Sequence, residues 1–163
     1  MEVRLIELSD AEKFVNFYDR LIRETDYLLP TVEESSKTVE QQENSIKKCC
    51  DYKQIFVAVD NDKIIGFMGI SRSPMSKVKH IANFAIGVLS DYRKRGVASK
   101  LMSFAEHWLK EKEVKRVEMT VIAENKPAIT CYEKNGYKHE GTREKSISMN
   151  GKLYDELFMA KMI

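Results

Sequence analysis

The chain is poor in the residues that mark several functional classes. It has 3 cysteines, 3 histidines and 3 prolines in 163 residues. The cysteines are Cys49, Cys50 and Cys131. An odd number with two adjacent members is a poor disulfide framework, which points to a reducing compartment. No cysteine or histidine spacing has the form of a metal site, so no metal is expected. No apolar run is long enough to span a bilayer, and no membrane partner is expected. The first residues, Met1-Glu2-Val3-Arg4-Leu5, lack a signal-peptide pattern, so the expected location is the cytoplasm. Neither sign of charge dominates: 27 Lys plus Arg against 25 Asp plus Glu give a net +2. That balance gives no general support for a nucleic-acid or anionic-surface partner. Neither common nucleotide-binding glycine pattern is present. There is no internal repeat, linker or low-complexity segment.

What is present is a hydrophobic content of 43% in a length suited to one domain, expected over 1–163. Val3 to Leu8 reads as a first strand. Ser9 and Glu12 form a candidate capping box for a helix carrying Phe14, Phe17, Leu21 and Ile22 on one face and ending near Thr25. Asp26 to Ser36 reads as a long loop broken by Pro30, and long loops often bind ligands. Thr38 and Gln41 cap a second helix, running to about Cys50. Ile55–Val59 and Lys63–Ile70 are strands joined by a turn at Asp60-Asn61-Asp62.

His80 to Val88 is the next strand. Ala82, Phe84, Ile86 and Val88 alternate with Asn83, Ala85 and Gly87, a face of small residues. Glycine inside a strand implies a bulge or a close backbone approach. A basic turn follows, Arg93-Lys94-Arg95-Gly96-Val97-Ala98, and then a helix with Leu101, Phe104, Ala105 and Trp108 on its buried stripe. Val114 to Val121 is a strand, which makes a βαβ unit with parallel pairing. Asn125 with Pro127 opens another helix, and Asn135-Gly136 closes it. Two final strands meet at Asn150-Gly151, a hairpin signal. The edge of that hairpin is a surface that a homodimer would cover.

The basic turn has the parts of a pyrophosphate cradle. A helix start offers free N–H groups and the positive end of the dipole, and small residues admit the ligand to the backbone. The backbone of Ile86, Gly87 and Val88 leads into it, Arg93, Lys94 and Arg95 add positive charge, and Gly96, Val97, Ala98 and Ser99 form the helix start. The plain alternative is a solvated turn before an ordinary helix. For Asn125 the alternative is a pure helix cap, for Tyr132 a core aromatic, and for Cys131 an apolar filler, since no His–Asp partner pattern accompanies it.

Arg93-x-x-Gly96-x-Ala98 resembles the acyl-CoA-binding motif of the GNAT superfamily of N-acyltransferases. Asn125-Lys126-Pro127-Ala128 through Tyr132 to Gly136-Tyr137 resembles the second signature of that family. The resemblance spans Ile55 to Tyr137, about half the chain. It implies an α/β fold: a twisted mixed sheet of about seven strands flanked by about four helices. Two central parallel strands, here His80–Val88 and Val114–Val121, would splay to admit acetyl-CoA. It further implies acetyl transfer from acetyl-CoA to an amine, by direct attack in a ternary complex, with Tyr132 donating a proton to the leaving thiolate. Asn125 joins the cofactor-binding set.

The base is not legible. Asn83 stands where many family members carry Glu, and Asn is not a useful proton acceptor. Asp26, Glu33 and Glu34 of the loop, together with His80 and Asn83, are the acceptor-side candidates. Glu24, Asp155 and Glu156 are further carboxylates in reach. The acceptor, a small-molecule or peptide amine, is expected between the loop and the last hairpin. A non-catalytic acyl-CoA-binding or sensing module is the competing reading. A nucleic-acid binder resting on Arg93-Lys94-Arg95 has thin support.

Overall fold

A computed structural model describes all 163 residues. Seven strands form one mixed sheet: β1 (Glu2–Leu5), β2 (Lys53–Asp60), β3 (Lys63–Arg72), β4 (Ile81–Val88), β5 (Arg116–Ile122), β6 (Lys138–Met149) and β7 (Lys152–Met162). Their order across the sheet is β1-β2-β3-β4-β5-β7-β6. Five helices flank it: α1 (Ala11–Arg23), α2 (Val32–Ser35), α3 (Val39–Lys47), α4 (Val97–Glu111) and α5 (Lys126–Lys134). No helix is long and apolar enough to cross a membrane.

Two hairpins follow from their turn residues. Asn61 and Asp62 both take positive φ, at 45° and 64°, as do Asn150 and Gly151, at 51° and 74°. Two consecutive left-handed residues match the right-handed twist of the strands they join. The capping box at Thr38 forms as its sequence implies: Thr38 Oγ1 accepts from the Gln41 N–H at 3.1 Å, and Gln41 Oε1 accepts from the Thr38 N–H at 2.9 Å.

The start of the chain differs from the sequence reading. β1 ends at Leu5, and the expected Ser9–Glu12 box does not form. Instead Glu7 caps a 3-10 turn over Leu8–Asp10, with Asp10 Oδ2 accepting the Glu7 N–H at 2.8 Å. Arg4 donates two further bonds to Asp10, at 2.6 and 2.8 Å. This carboxylate is 3% exposed, and the Arg4 guanidinium holds its pKa below the ordinary range despite burial. A capping box two residues earlier, backed by the Arg4–Asp10 ion pair, thus replaces the expected one. The loop over 26–36 is also not wholly irregular: a box between Thr31 and Glu34 winds α2, a single turn. This turn makes the fifth helix.

The sheet has a core on each face. On one, Phe84, Leu101, Met102, Leu109, Val117 and Met159 pack together between the strands and α4. On the other, Phe14, Phe17 and Leu21 of α1 pack on Val57, Ile64 and Phe67. Alternation along β4 assigns its residues between them. Ala82, Phe84, Ile86 and Val88 join the α4-side core.

Gly87 faces α1, and a Cβ there would stand 2.5 Å from Leu21 Cδ2 and 3.1 Å from Phe67 Cε1. The bulge expected in β4 is absent, because its register with β3 runs unbroken from Gly66↔Val88 to Arg72↔Ala82. The glycine serves the alternative expectation, a close approach. Leu21 is 1% exposed and packed within the α1-side core, so its methyl group can yield only by disturbing that packing. Gly87→Ala is expected to lower unfolding free energy by about 1–3 kcal/mol through overpacking. A denaturant melt checks this, and parental stability would show that Leu21 re-packs freely.

Candidate active site

β4 and β5 are parallel neighbours that pair over only three positions: Ile81↔Arg116, Ala82↔Val117 and Asn83↔Glu118. Beyond Asn83 they diverge. The Leu89 N–H donates to the Ile65 carbonyl at 3.0 Å, which fixes the alternation of backbone groups along β4. Gly87 and Ala85 therefore turn their backbone groups to β3, while both groups of Ile86, the Phe84 carbonyl and the Val88 N–H turn into the opening toward β5. Free N–H and C=O groups along one strand edge suit an extended, amide-containing ligand laid beside it. They arise from the splay and need no bulge.

The opening leads to the basic turn. Arg93 Nε donates to the Val88 carbonyl at 3.0 Å and ties the turn to the end of β4. Arg95 lies over the Tyr92 ring at 5.5 Å, and both Lys94 and Arg95 are exposed. Lys94 and Gly96 take left-handed conformations, φ 60° and 77°, and no atom lies within 4 Å of a Cβ at Gly96. The first helical bond of α4 runs from the Lys100 N–H to the Gly96 carbonyl at 3.0 Å. The N–H groups of Val97, Ala98 and Ser99 precede it and have no partner within the helix. The geometry is that of an anion cradle open to solvent, and it fits a pyrophosphate.

Tyr132 sits beside the opening on α5. Its ring is 9% exposed and packs edge-on against Phe84 at 5.9 Å and Tyr137 at 6.1 Å. Burial pushes its phenol pKa well above the ordinary value. The ring is part of the α4-side core. Asn125 caps α5, its Oδ1 accepting the Ala128 N–H at 3.4 Å. Asn135 joins the two helices, donating to Ser99 Oγ at 3.0 Å and to the Cys131 carbonyl at 2.8 Å. Read from sequence only as a helix stop, Asn135 fixes α5 and Tyr132 against the cradle.

On the opposite face of the sheet lies a cavity of about 710 Å³. It is walled by α1, the loop around α2, Gln42 of α3, and strands β2, β3 and β4. Asn83, Phe84 and Ala85 form its floor at the point where β4 leaves β5. Of the acceptor-side candidates, Asn83 and Glu34 border this cavity, whereas Asp26, Glu33 and His80 do not. His80 lies just before β4 at its paired end, where its carbonyl accepts from Lys115 and Arg116. The last hairpin does not line the cavity either. Glu24 is engaged elsewhere, accepting from Arg20 Nε and from the Ser90 N–H, both at 2.7 Å. Its burial favours the neutral acid, but those bonds prevail and hold its pKa low. Asp155 accepts the Lys145 N–H, and Glu156 is the inward neighbour, bonded to Arg143 and Ser146.

A splayed parallel pair with an anion cradle at its mouth and an acceptor-sized cavity behind it defines the acyl-CoA-dependent N-acyltransferase class. The acetyltransferase (GNAT) family model matches residues 15–137, and the chain belongs to that family. It is 37% identical over 114 residues to the L-amino acid N-acetyltransferase AaaT of Escherichia coli (strain K12), covering 68% of each chain. A GNAT acetyltransferase structure from Streptococcus pneumoniae superposes with a TM-score of 0.93 at 29% identity, over 99% of both chains. The yncA structure from Salmonella typhimurium, solved with its cofactor acetyl-CoA, superposes at 0.86 with 12% identity, over 99% of this chain and 93% of that one.

Proposed function

We propose that the protein transfers an acetyl group from acetyl-CoA to a primary amine of a small molecule or peptide, by direct attack in a ternary complex. The observation that carries this reading is the three-pair limit of β4–β5 pairing, with the cradle at one end of the gap and the cavity at the other. Acetyl-CoA, when bound, supplies an acyl group activated as a thioester.

This chain's own residues do the rest. The N–H groups of Val97, Ala98 and Ser99, with Arg93, Lys94 and Arg95, hold the pyrophosphate at the cradle. The free edge of β4 at Ile86 and Val88 orients the amide-bearing arm and offers N–H donors to the carbonyl oxygen under attack. Asn83 and Ala85 receive the amine. The Tyr132 hydroxyl donates to the departing sulfur. The two carboxylates that border the cavity are both engaged, Asp19 with Arg23 and Glu34 through Oε2 with the Thr31 N–H. The amine proton therefore leaves to water. A cytoplasmic, single-domain enzyme fits this reading.

Ligand linkage tests the binding half of the proposal. Acetyl-CoA at about 100 times its Kd is expected to add about 2.7 kcal/mol to the stability of the folded chain. A melting temperature that rises with acetyl-CoA concentration is the expected result. A melting temperature indifferent to millimolar acetyl-CoA would overturn it.

A further inference from the structure

The segment that joins the free edge of β4 to the cradle is held from outside it. After Leu89 the chain makes one 3-10 turn, Ser90–Tyr92, before Arg93 begins the basic turn. No local side chain caps that turn: Leu89 stands at the cap position and is buried in the α1-side core. The Ser90 N–H is taken by Glu24, whose Oε2 accepts it at 2.7 Å from 66 residues away. Glu24 Oε1 accepts Arg20 Nε at 2.7 Å, and the same guanidinium donates through Nη2 to Asp91 Oδ2 at 2.7 Å. Two consecutive residues, Ser90 and Asp91, are thus pinned to the end of α1.

Glu24 does not serve the helix that carries it. It stands at the C-cap of α1, the negative end of the dipole, where a carboxylate is unfavourable and Lys or Arg is the ordinary residue. Nor does the fold gain much from the outer part of the node. The Arg20 and Asp91 side chains are 48% and 66% exposed, and ion pairs so exposed contribute little to stability. What the node fixes is the placement of its neighbours. Two residues before Ser90 lies Val88, whose N–H faces the opening. Three residues after it lies Arg93, which reaches back to the Val88 carbonyl.

We infer that Glu24 is a positioning residue for acetyl-CoA: by holding Ser90, while Arg20 holds Asp91, it sets the β4 edge and the cradle at the one spacing that a single ligand spans. The identity of the ligand rests on the acetyltransferase reading. Glu24 acts through Ser90 and not through its charge, since the field of a carboxylate opposes a pyrophosphate.

The test is calorimetric titration of the parent, Glu24→Gln and Glu24→Ala with acetyl-CoA, beside thermal melts of all three. Glu24→Ala is expected to bind about tenfold more weakly, the scale of one charge-assisted hydrogen bond. Glu24→Gln keeps an oxygen for the Ser90 N–H and is expected to stay within about threefold of the parent. Ser90 is exposed, so in Glu24→Ala its N–H turns to water and the melting temperature should move little. Amide exchange at Ser90 in the free proteins reads the contact itself, slow in the parent and in Glu24→Gln, fast in Glu24→Ala.

Equal affinity in all three proteins overturns the inference. So does a Gln variant as weak as the Ala variant, or tighter binding in both, which a pure charge effect would give. Ser90 exchange equally fast in the parent and in Glu24→Ala, or an affinity loss matched by a collapse in melting temperature, overturns it as well. Each of these leaves the transferase reading intact. A parent that binds no acetyl-CoA removes that reading and the inference with it.

Discussion

Tyr132→Phe is expected to slow single-turnover acetyl transfer about a hundredfold, with the fold and acetyl-CoA binding retained. The substitution removes one oxygen and keeps the ring that packs on Phe84 and Tyr137. The fold therefore loses little. Burial raises the phenol pKa, so the group stays protonated throughout the working pH range. Two consequences follow from the sign of that shift. Tyr132 contributes no ionisation to the pH–rate profile, and the Phe variant should keep the parental profile shape at a lower level. Complete proton transfer to a thiolate of pKa about 8.5 is uphill from so weak an acid. The hydroxyl accordingly acts first as a hydrogen-bond donor that stabilises charge growing on sulfur. A folded Phe variant with the parental single-turnover rate would reduce Tyr132 to packing and leave water as the donor.

Gly96→Glu is expected to weaken acetyl-CoA binding on the order of a hundredfold or more. Nothing in the free protein clashes with a side chain there, since no atom lies within 4 Å of the Cβ position. A carboxylate before α4 is also electrostatically favourable to the helix itself. The left-handed φ of 77° costs about 1–2 kcal/mol in a non-glycine residue, which the fold can absorb. The damage falls on the ligand, whose pyrophosphate would meet a negative charge in front of the three free N–H groups. Gly96→Ala carries the same backbone cost without the charge and should lose less than about tenfold. Calorimetric titration of both variants reads the difference, and an unchanged affinity for Gly96→Glu would place the cradle elsewhere.

These expectations also show where sequence was sufficient. The cradle is local: a strand end, three basic residues, a glycine and a helix start fall within a few positions of one another. Both hairpins and the Thr38 cap were legible for the same reason, since each depends on neighbours in the chain. The first helix and its buried face were legible, but its cap was not, because Arg4 draws Asp10 into an ion pair that favours the Glu7–Asp10 box over the Ser9–Glu12 one. The cavity is the larger loss. Asn16 and Tyr18 come from α1, Glu34 from the α2 turn, Gln42 from α3, and Lys53 and Asn83 from separate strands. No spacing joins them.

The central claim is that the splayed strands and the cavity behind them carry out acetyl transfer and not mere retention of an acyl-CoA. One measurement separates these directly. The protein is incubated with acetyl-CoA and L-leucine, free thiol is followed continuously, and acetylated amine is counted by mass spectrometry in the same samples. The account predicts thiol release that depends on the amine and is matched mole for mole by N-acetyl-leucine. Saturable binding of acetyl-CoA, with no amine-dependent thiol release across leucine and a panel of other primary amines, would contradict it and establish a binding module in its place.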